Sequence, residues 1–267
     1  MLEIKSTKQA VKFARTLKKR KYRELYHNFL IEGVNFVEDA LLNKAPVDYV
    51  MVAENNKYSP KYKGIIEQTR LQQLPLLFVK DDLLAKLSDT ETPQGVVAVC
   101  SMPSWNEEQV LREGDGVLVA LDGLQDPGNL GTIIRSAAGV GVSGVFLGEG
   151  TVDLFNPKVL RATMGTVFRI PVFQQVDLIT LIKKVKQAGF QTVAADPRAD
   201  KKYYHVDFRL GGHLILIGNE SRGIRSELLD LVDLRVSIPL MSGVESLNAA
   251  VAASLILYEI FRQRDLD

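Results

Sequence analysis

The feature that most constrains this chain lies in its second half, where short apolar runs alternate with helical patterns. The runs GVLVALD, GVFLG, FRIPVF, FQTVAAD, HLILIGNE and LRVSIPL read as strands. Helical segments fall between most of them: Leu130 to about Ala138, Pro157 to Gly165, Asp177 to Ala188 and Ile224 to Leu231. SLNAAVAASLILYEIFRQR closes the chain as a last helix. A strand that is apolar throughout has to be covered on both faces, and a helix between two strands carries the chain back across the sheet. The second half is therefore expected to be an α/β unit with a mostly parallel sheet. With 267 residues and 46% hydrophobic content, the chain can bury one or two sizeable cores.

The first half reads as a smaller α/β unit. FLIEGVNFVEDALLN is a strand end plus a helix, DYVMVAE and LPLLFVK are short strands, DDLLAKLSD is a helix and GVVAVCS a final strand. The polar stretch SMPSWNEEQVLREGDG then reads as a linker, giving domains over 1–104 and 112–267. Ahead of the first strand, nine Lys and Arg residues between Lys5 and Arg23 face a single acid, Glu3. Val11, Phe13, Ala14 and Leu17 recur there at rough helical spacing, which predicts a basic, weakly amphipathic helix. It is either a solvated face or a phosphate-contacting surface; in the second case Lys12, Arg15, Lys18, Lys19, Arg20, Lys21 and Arg23 are the candidate nucleic-acid contacts. Tyr22 and Tyr26 stand beside them, able to stack on bases or to serve structure.

Several function classes drop out. Net charge is only +1, so the whole chain is not a polycation. The single cysteine, Cys100, allows no intramolecular disulfide, and His27, His205 and His213 fall in no ligand-like spacing, so no metal is expected. The N-terminus is charged from Glu3 onward and no run reaches the ~20 apolar residues of a membrane span, which predicts a soluble, cytoplasmic protein.

Gly139, Gly141 and Gly144 spell G-x-G-x-x-G, the spacing of a dinucleotide-binding fingerprint. That motif requires a strand before it and a helix after it, so that the helix N-terminus meets a pyrophosphate. Here the order is reversed: NLGTIIRSAA is helical and GVFLG is a strand, so the glycines read as a helix-to-strand turn with Gly139 at the C-cap. The turn that does join strand to helix is VLVALDGLQDPGNLGTIIR, with Asn129 as a candidate N-cap and the next N–H groups open to an anion. Arg135 is long enough to reach back toward that turn or to pair with Asp122 or Asp126. Later strand ends carry Gly218, Asn219, Glu220 and Gly223, and then Ile238, Pro239, Met241, Ser246 and Asn248 before a helix rich in small residues. Ser246 or Asn248 is a candidate cap of that helix.

Together these pieces resemble the SpoU/TrmH family of RNA ribose 2′-O-methyltransferases in the SPOUT superfamily. Asn129, Gly131 and Arg135 match its N-x-G-x-x-x-R motif, and Gly218, Glu220 and Gly223 match G-x-E-x-x-G. Ile238, Pro239, Met241, Ser246, Leu247 and Asn248 match its third motif, with Leu240 inserted between Pro239 and Met241. The first hundred residues, notably FLIEGVNFVEDAL, resemble the family's optional substrate-RNA-binding domain. The resemblance implies a deep C-terminal trefoil knot, a feature rare among folds. It also implies S-adenosylmethionine held there, a homodimer built on the C-terminal domain, and a structured RNA substrate, ribosomal rather than tRNA, with a non-catalytic assembly protein as the other class. By carry-over, Ala195, Leu216, Ile217, Gly218, Asn219, Ile238, Met241, Ser246 and Leu247 would hold the cofactor, and Arg135, Asn129, Glu220, Ser246 and Asn248 would form the catalytic set. The family assigns the arginine to activating the hydroxyl; since a guanidinium stays protonated and has no acceptor, binding phosphate and stabilising developing alkoxide charge suits it better. Glu220 is then left to support Arg135 or to take part in proton removal.

Overall fold

The computed structural model describes residues 6–88, 90–112 and 114–265. They form two units: the residues up to Ser104 with Phe155–Arg161, and Trp105–Leu154 with the residues from Ala162 onward.

The first unit contains α1 (Thr7–Thr16), α2 (Arg20–Tyr26), β1 (Asn28–Glu32), α3 (Val34–Leu42), β2 (Val47–Ala53), α4 (Lys63–Leu71), β3 (Leu76–Val79), α5 (Asp81–Ala85) and β4 (Val96–Ser101). The sheet order is β1-β4-β2-β3. Strand β4 is antiparallel to both β1 and β2, and β3 is parallel to β2. Ala10, Ala14 and Leu17 of the N-terminal segment are buried in one core with Tyr49, Met51, Val97 and Val99. The expected single basic helix is two helices. The buried Arg23 folds back so that Nη1 donates to the carbonyls of Leu17 and Lys18 at 3.0 and 3.1 Å, which stabilises the break. Helix α4, absent from the sequence reading, buries Ile65, Ile66 and Thr69.

The second unit continues with α6 (Glu107–Arg112), β5 (Val117–Leu121), α7 (Pro127–Gly139), β6 (Gly144–Gly148), α8 (Pro157–Thr163, shared with the first unit), β7 (Val172–Val176), α9 (Leu178–Gln187), β8 (Gln191–Ala195), β9 (His213–Ile217), α10 (Ser226–Leu229), β10 (Leu234–Val236) and α11 (Ala249–Asp265). Its six strands form one sheet in the order β10-β8-β9-β5-β6-β7, with every neighbour pair parallel. The central strands β5 and β9 are buried at all five positions, as their unbroken apolar runs require. Leu178, Leu181, Ile182 and Val185 of α9 join a core with Leu118, Phe146, Leu214 and Leu216.

Four local expectations are corrected. The linker stretch holds α6, whose Val110 is buried. FRIPVF is not a strand from its start: Thr166–Phe168 is a single 3-10 turn, and the strand begins only after Pro171, which has no N–H to give a ladder. The helix expected over Ile224 to Leu231 shrinks to Ser226–Leu229. In the glycine triplet, Gly139 closes α7, Val140 is the C-cap, and Gly141 adopts the positive φ of +71° that turns the chain toward β6.

Candidate active site

The carboxyl ends of parallel strands are where such a sheet can bind, because there the loops splay and helix N-termini converge. At the end of β5, Asp126 is the N-cap of α7, not Asn129. Pro127 occupies the first helical position, where its missing N–H costs nothing, and this shifts the helix start upstream of the expected residue. The Asp126 carboxylate accepts the Asn129 N–H at 2.8 Å, so that N–H is not open to an anion. Asn129 itself lies in the third helical position, 9% exposed, with its side chain turned to other elements.

That side chain joins three loops. Its Nδ2 donates to Glu220 Oε1 at 3.0 Å, and its Oδ1 accepts from Asn248 Nδ2 at 2.8 Å. Asn248 Oδ1 in turn accepts the N–H groups of Ala250 and Val251 at 2.9 and 3.2 Å, so Asn248 caps α11. The orientation of both amides is determined by the ends of this chain of bonds. An ionised carboxylate only accepts and the helix N–H groups only donate, so each amide between them has one possible sense. Glu220 also receives the N–H groups of Asp126 at 3.0 Å and Gln125 at 3.2 Å. Burial pushes the Glu220 carboxyl up, but the Asn129 amide and the backbone N–H donors outweigh this and hold it below its ordinary value. Glu220 is thus a saturated anion that ties the β9 loop to the start of α7, and it does not touch Arg135.

The β9 loop is tightly folded. Asn219 and Gly223 exchange backbone hydrogen bonds at 3.0 Å, and a side chain at Gly218 would put its Cβ 2.3 Å from the Gly223 carbonyl carbon. Asn219 Nδ2 donates to the Gly123 carbonyl at 2.7 Å. The buried Asp122 at the end of β5 accepts Arg225 Nε at 2.8 Å and the Arg225 N–H at 2.9 Å. Asp122 and Asp126 are therefore both committed, and neither pairs with Arg135.

A cavity of about 360 Å³ opens at the ends of β8, β9 and β10. Of the expected cofactor residues, Ala195, Ile217, Gly218, Asn219, Ile238, Ser246 and Leu247 line it. Leu216 and Met241 do not. Leu216 points from mid-strand into the core and is wholly buried, because neighbours along a strand face opposite sides. Met241 is 84% exposed, in the segment just past β10. Glu220 belongs both to the cavity wall and to the asparagine network, which makes the two features contiguous. The wall also holds Asp196, Arg198 and Glu245, which the sequence reading did not single out. Asp196 stands one residue past β8, a strand-end carboxylate that was legible in principle. Burial pushes it up, but the N–H and guanidinium of Arg198 outweigh this and hold it below its ordinary value. Apolar walls from Ile217, Ile224, Val236 and Leu247 beside carboxylates suit a flat heterocycle with a cationic tail. The small residues of α11 divide by face: Ala249 and Ala252 line the cavity, whereas Ala253 is wholly buried and Ser254 Oγ meets Ser136 Oγ of α7 at 2.8 Å.

Arg135 is not in this wall. Six helical residues after Asn129 amount to about 240° of rotation, so the two side chains leave α7 in different directions. Arg135 lines a separate open hollow with Thr132, Arg169 and Tyr258. It is exposed and makes no hydrogen bond or ion pair among the described residues. The N-terminal basic set also divides. Lys12, Arg15, Lys19 and Lys21 are exposed. Lys18 Nζ donates to the Ser88 carbonyl at 3.0 Å, Arg20 pairs with Glu24 at 2.7 Å, and Arg23 is buried in the helix break, so these three are not free cationic contacts. Lys5 lies outside the described residues. Among the described residues there is no cluster of three or more His, Cys, Asp and Glu that could hold a metal, and no helix is long and apolar enough to cross a membrane.

A parallel α/β sheet with a cavity and a polar network at its strand ends defines a nucleotide-cofactor type of site, and the chain belongs to the SpoU rRNA Methylase family, whose model matches residues 116–258. Residues 8–98 match the MRM3-like substrate binding domain. Among curated proteins, the chain is 34% identical over 261 residues to the 23S rRNA (guanosine(2553)-2′-O)-methyltransferase RlmP of Bacillus subtilis, covering 97% of this chain and 99% of that one. It is 32% identical to the 23S rRNA (uridine(2479)-2′-O)-methyltransferase of Streptomyces viridochromogenes, covering 88% and 83%. The crystal structure of the SpoU methyltransferase AviRb from the same organism, in complex with AdoMet, superimposes with a TM-score of 0.85 at 31% identity, covering 95% of this chain and 97% of that one.

Proposed function

We propose that the protein is a 2′-O-ribose methyltransferase that uses S-adenosylmethionine and acts on ribosomal RNA. One observation carries this: the apolar, acid-rimmed cavity at the ends of β8, β9 and β10 shares Glu220 with the Asn129–Asn248 network. The residues present fit the cofactor. Ile217, Ile238 and Leu247 can enclose an adenine ring, backbone at Ala195 and Gly218 can meet its edge, and Asp196 and Glu245 can face a cationic tail. When bound, the cofactor supplies an electrophilic methyl group on a positively charged sulfur. The chain's own residues bind and orient the ribose. Asn129 and Asn248 hold a fixed pattern of donors and acceptors, and Ser246 offers a hydroxyl at the rim. Glu220, saturated and held ionised, positions that pair and is a poor proton acceptor. Arg135, exposed in the separate hollow with Arg169 and with no internal counter-charge, binds a phosphate of the RNA and so positions the substrate.

The trefoil knot and the homodimer belong to the same reading. The knot is supported by α11, which runs back from the β10 edge to pack on α7 and β9. The homodimer is supported by Val251, Leu255 and Tyr258, 40 to 53% exposed at helical spacing on α11. The two rRNA relatives align along most of the chain, which favours ribosomal RNA over tRNA and supports a site of action beside the ribosome in the cytoplasm. The test is transfer of tritiated methyl from S-adenosylmethionine to total RNA lacking the modification. Label is expected in large-subunit rRNA as a 2′-O-methyl nucleotide. Label on a base, or cofactor binding with no transfer to any RNA, overturns the proposal.

A further inference from the structure

We propose that the loop between β2 and α4 is a second RNA-contacting surface, which binds unpaired bases by stacking on Tyr58 and phosphates through Lys57 and Lys61. The inference rests on the proposed RNA substrate and adds a site on the first unit, distinct from the N-terminal basic helices. Tyr58 is 87% exposed. An exposed aromatic of this kind usually sits on a mobile tip, but this loop is built. Glu54–Asn56 and Pro60–Tyr62 are single 3-10 turns, and the backbone N–H groups of Lys57, Ser59 and Tyr62 are all bonded to carbonyls within the loop. Tyr62 is buried and its hydroxyl donates to the Gln94 carbonyl at 2.6 Å, which ties the loop to the segment leading into β4. Asp81 accepts the Asn55 N–H at 3.5 Å from the other side.

On this support the Lys57 ammonium stands 5.2 Å from the ring centres of both Tyr58 and Phe78. The ammonium is thus within cation–π range of two aromatic rings, and Tyr58, so largely exposed, keeps ring surface open to solvent. Lys61 and Lys63 are also exposed, so residues 54–63 carry three lysines against one carboxylate, Glu54. Lys63 is partly engaged with Glu67 at 3.8 Å, which leaves Lys57 and Lys61 as the phosphate contacts. A flat, rigid π-face flanked by cations matches a base and its backbone phosphate, the pairing by which single strands are bound. Bases stacked inside a duplex are out of reach of such a ring, so the ligand is single-stranded or looped RNA.

The test uses the full chain and fluorescence anisotropy with oligo(U) and with an RNA duplex of equal length. Tyr58→Ala is expected to weaken oligo(U) binding on the order of 10-fold, the loss typical of one base–aromatic stack. Tyr58→Phe, which keeps the ring, stays within about 2-fold. Replacing Lys57 and Lys61 together by Gln is expected to lower the slope of log affinity against log salt by about 1.4, roughly 0.7 for each phosphate contact on a single strand. Duplex binding is unchanged by Tyr58→Ala. Far-ultraviolet circular dichroism and S-adenosylmethionine affinity stay at wild-type values in each variant. Wild-type oligo(U) affinity in Tyr58→Ala, or equal losses in the alanine and phenylalanine variants, overturns the stacking surface. If the wild-type chain methylates no RNA while Tyr58→Ala still weakens oligo(U) binding, the surface stands and the methyl-transfer reading falls.

Discussion

Asn248 does two jobs that ordinary truncation confounds, and the geometry separates them. Its Oδ1 caps α11 by accepting from Ala250 and Val251, and its Nδ2 supplies the hydrogen bond that satisfies the buried Asn129 Oδ1. Asn248→Ala removes both. Loss of a cap costs about 1 kcal/mol, and leaving a buried acceptor unpaired costs about 1 kcal/mol or more. The expected loss is about 2 kcal/mol, a drop in Tm of roughly 6 °C for a unit of this size. Asn248→Asp keeps an excellent cap but turns a second acceptor toward Asn129 Oδ1. Asn129 cannot rotate to serve it, because its only amide nitrogen is committed to Glu220. The aspartate variant keeps the cap, worth about 1 kcal/mol, but sets an ionised acceptor against Asn129 Oδ1, so it should recover little of the loss. Both should methylate RNA at least tenfold more slowly than the wild type. Urea unfolding supplies the decisive measurement through a double-mutant cycle between Asn129→Ala and Asn248→Ala. The two losses are expected to fall short of additivity by about 1 kcal/mol. Additivity within about 0.3 kcal/mol would show that the asparagines do not support each other and would refute the network.

Four further outcomes follow from the same structure. Arg135→Ala should lower methyl transfer by about 100-fold or more while calorimetry finds S-adenosylmethionine affinity within a few-fold of wild type, since Arg135 is not in the cavity wall; collapse of cofactor binding would reassign it. Gly218→Ala should cost about 3 kcal/mol and abolish cofactor binding, because the new Cβ meets unyielding backbone at 2.3 Å, whereas Gly223→Ala meets open space and pays only for its φ of +70°, about 1 kcal/mol; equal urea midpoints would contradict this. Replacing Lys12, Arg15, Lys19 and Lys21 by Gln should flatten the salt dependence of RNA binding with stability unchanged, while Arg23→Ala should do the reverse. Burial and the Arg264 guanidinium push His213 down to about 4. The unfolded chain takes up that proton near pH 6.5, so the contribution is complete above that pH and is lost as pH falls from about 6.5 to about 4. The urea midpoint should decline across that window, and His213→Gln should flatten the decline.

Much of the architecture was legible because hydrophobic periodicity is a local property. Unbroken apolar runs such as HLILI declared central strands, and Asp177 before LITLIKKV declared a helix start, which its side chain indeed caps. The same locality explains the errors. Pro127 marks Asp126 as the cap of α7, but nothing nearby in the chain shows that Glu220, about ninety residues later, takes the Asn129 amide. A lysine-rich segment shows its charge but not that Arg23 will be spent on closing a helix break. Motif spacing brought Asn129, Glu220 and Asn248 to attention as one group, and the fold does join them. Helical rotation alone sends Arg135 off α7 in another direction, but what it faces there, an open hollow with Arg169 and Tyr258, depends on where the helix axis lies against the sheet. The sequence by itself determined which segments are strands, which ends of them carry polar residues, and the family to which they belong. Only the tertiary structure decided which polar groups satisfy each other, since hydrogen-bond partners and burial are set by contacts between residues far apart in the chain.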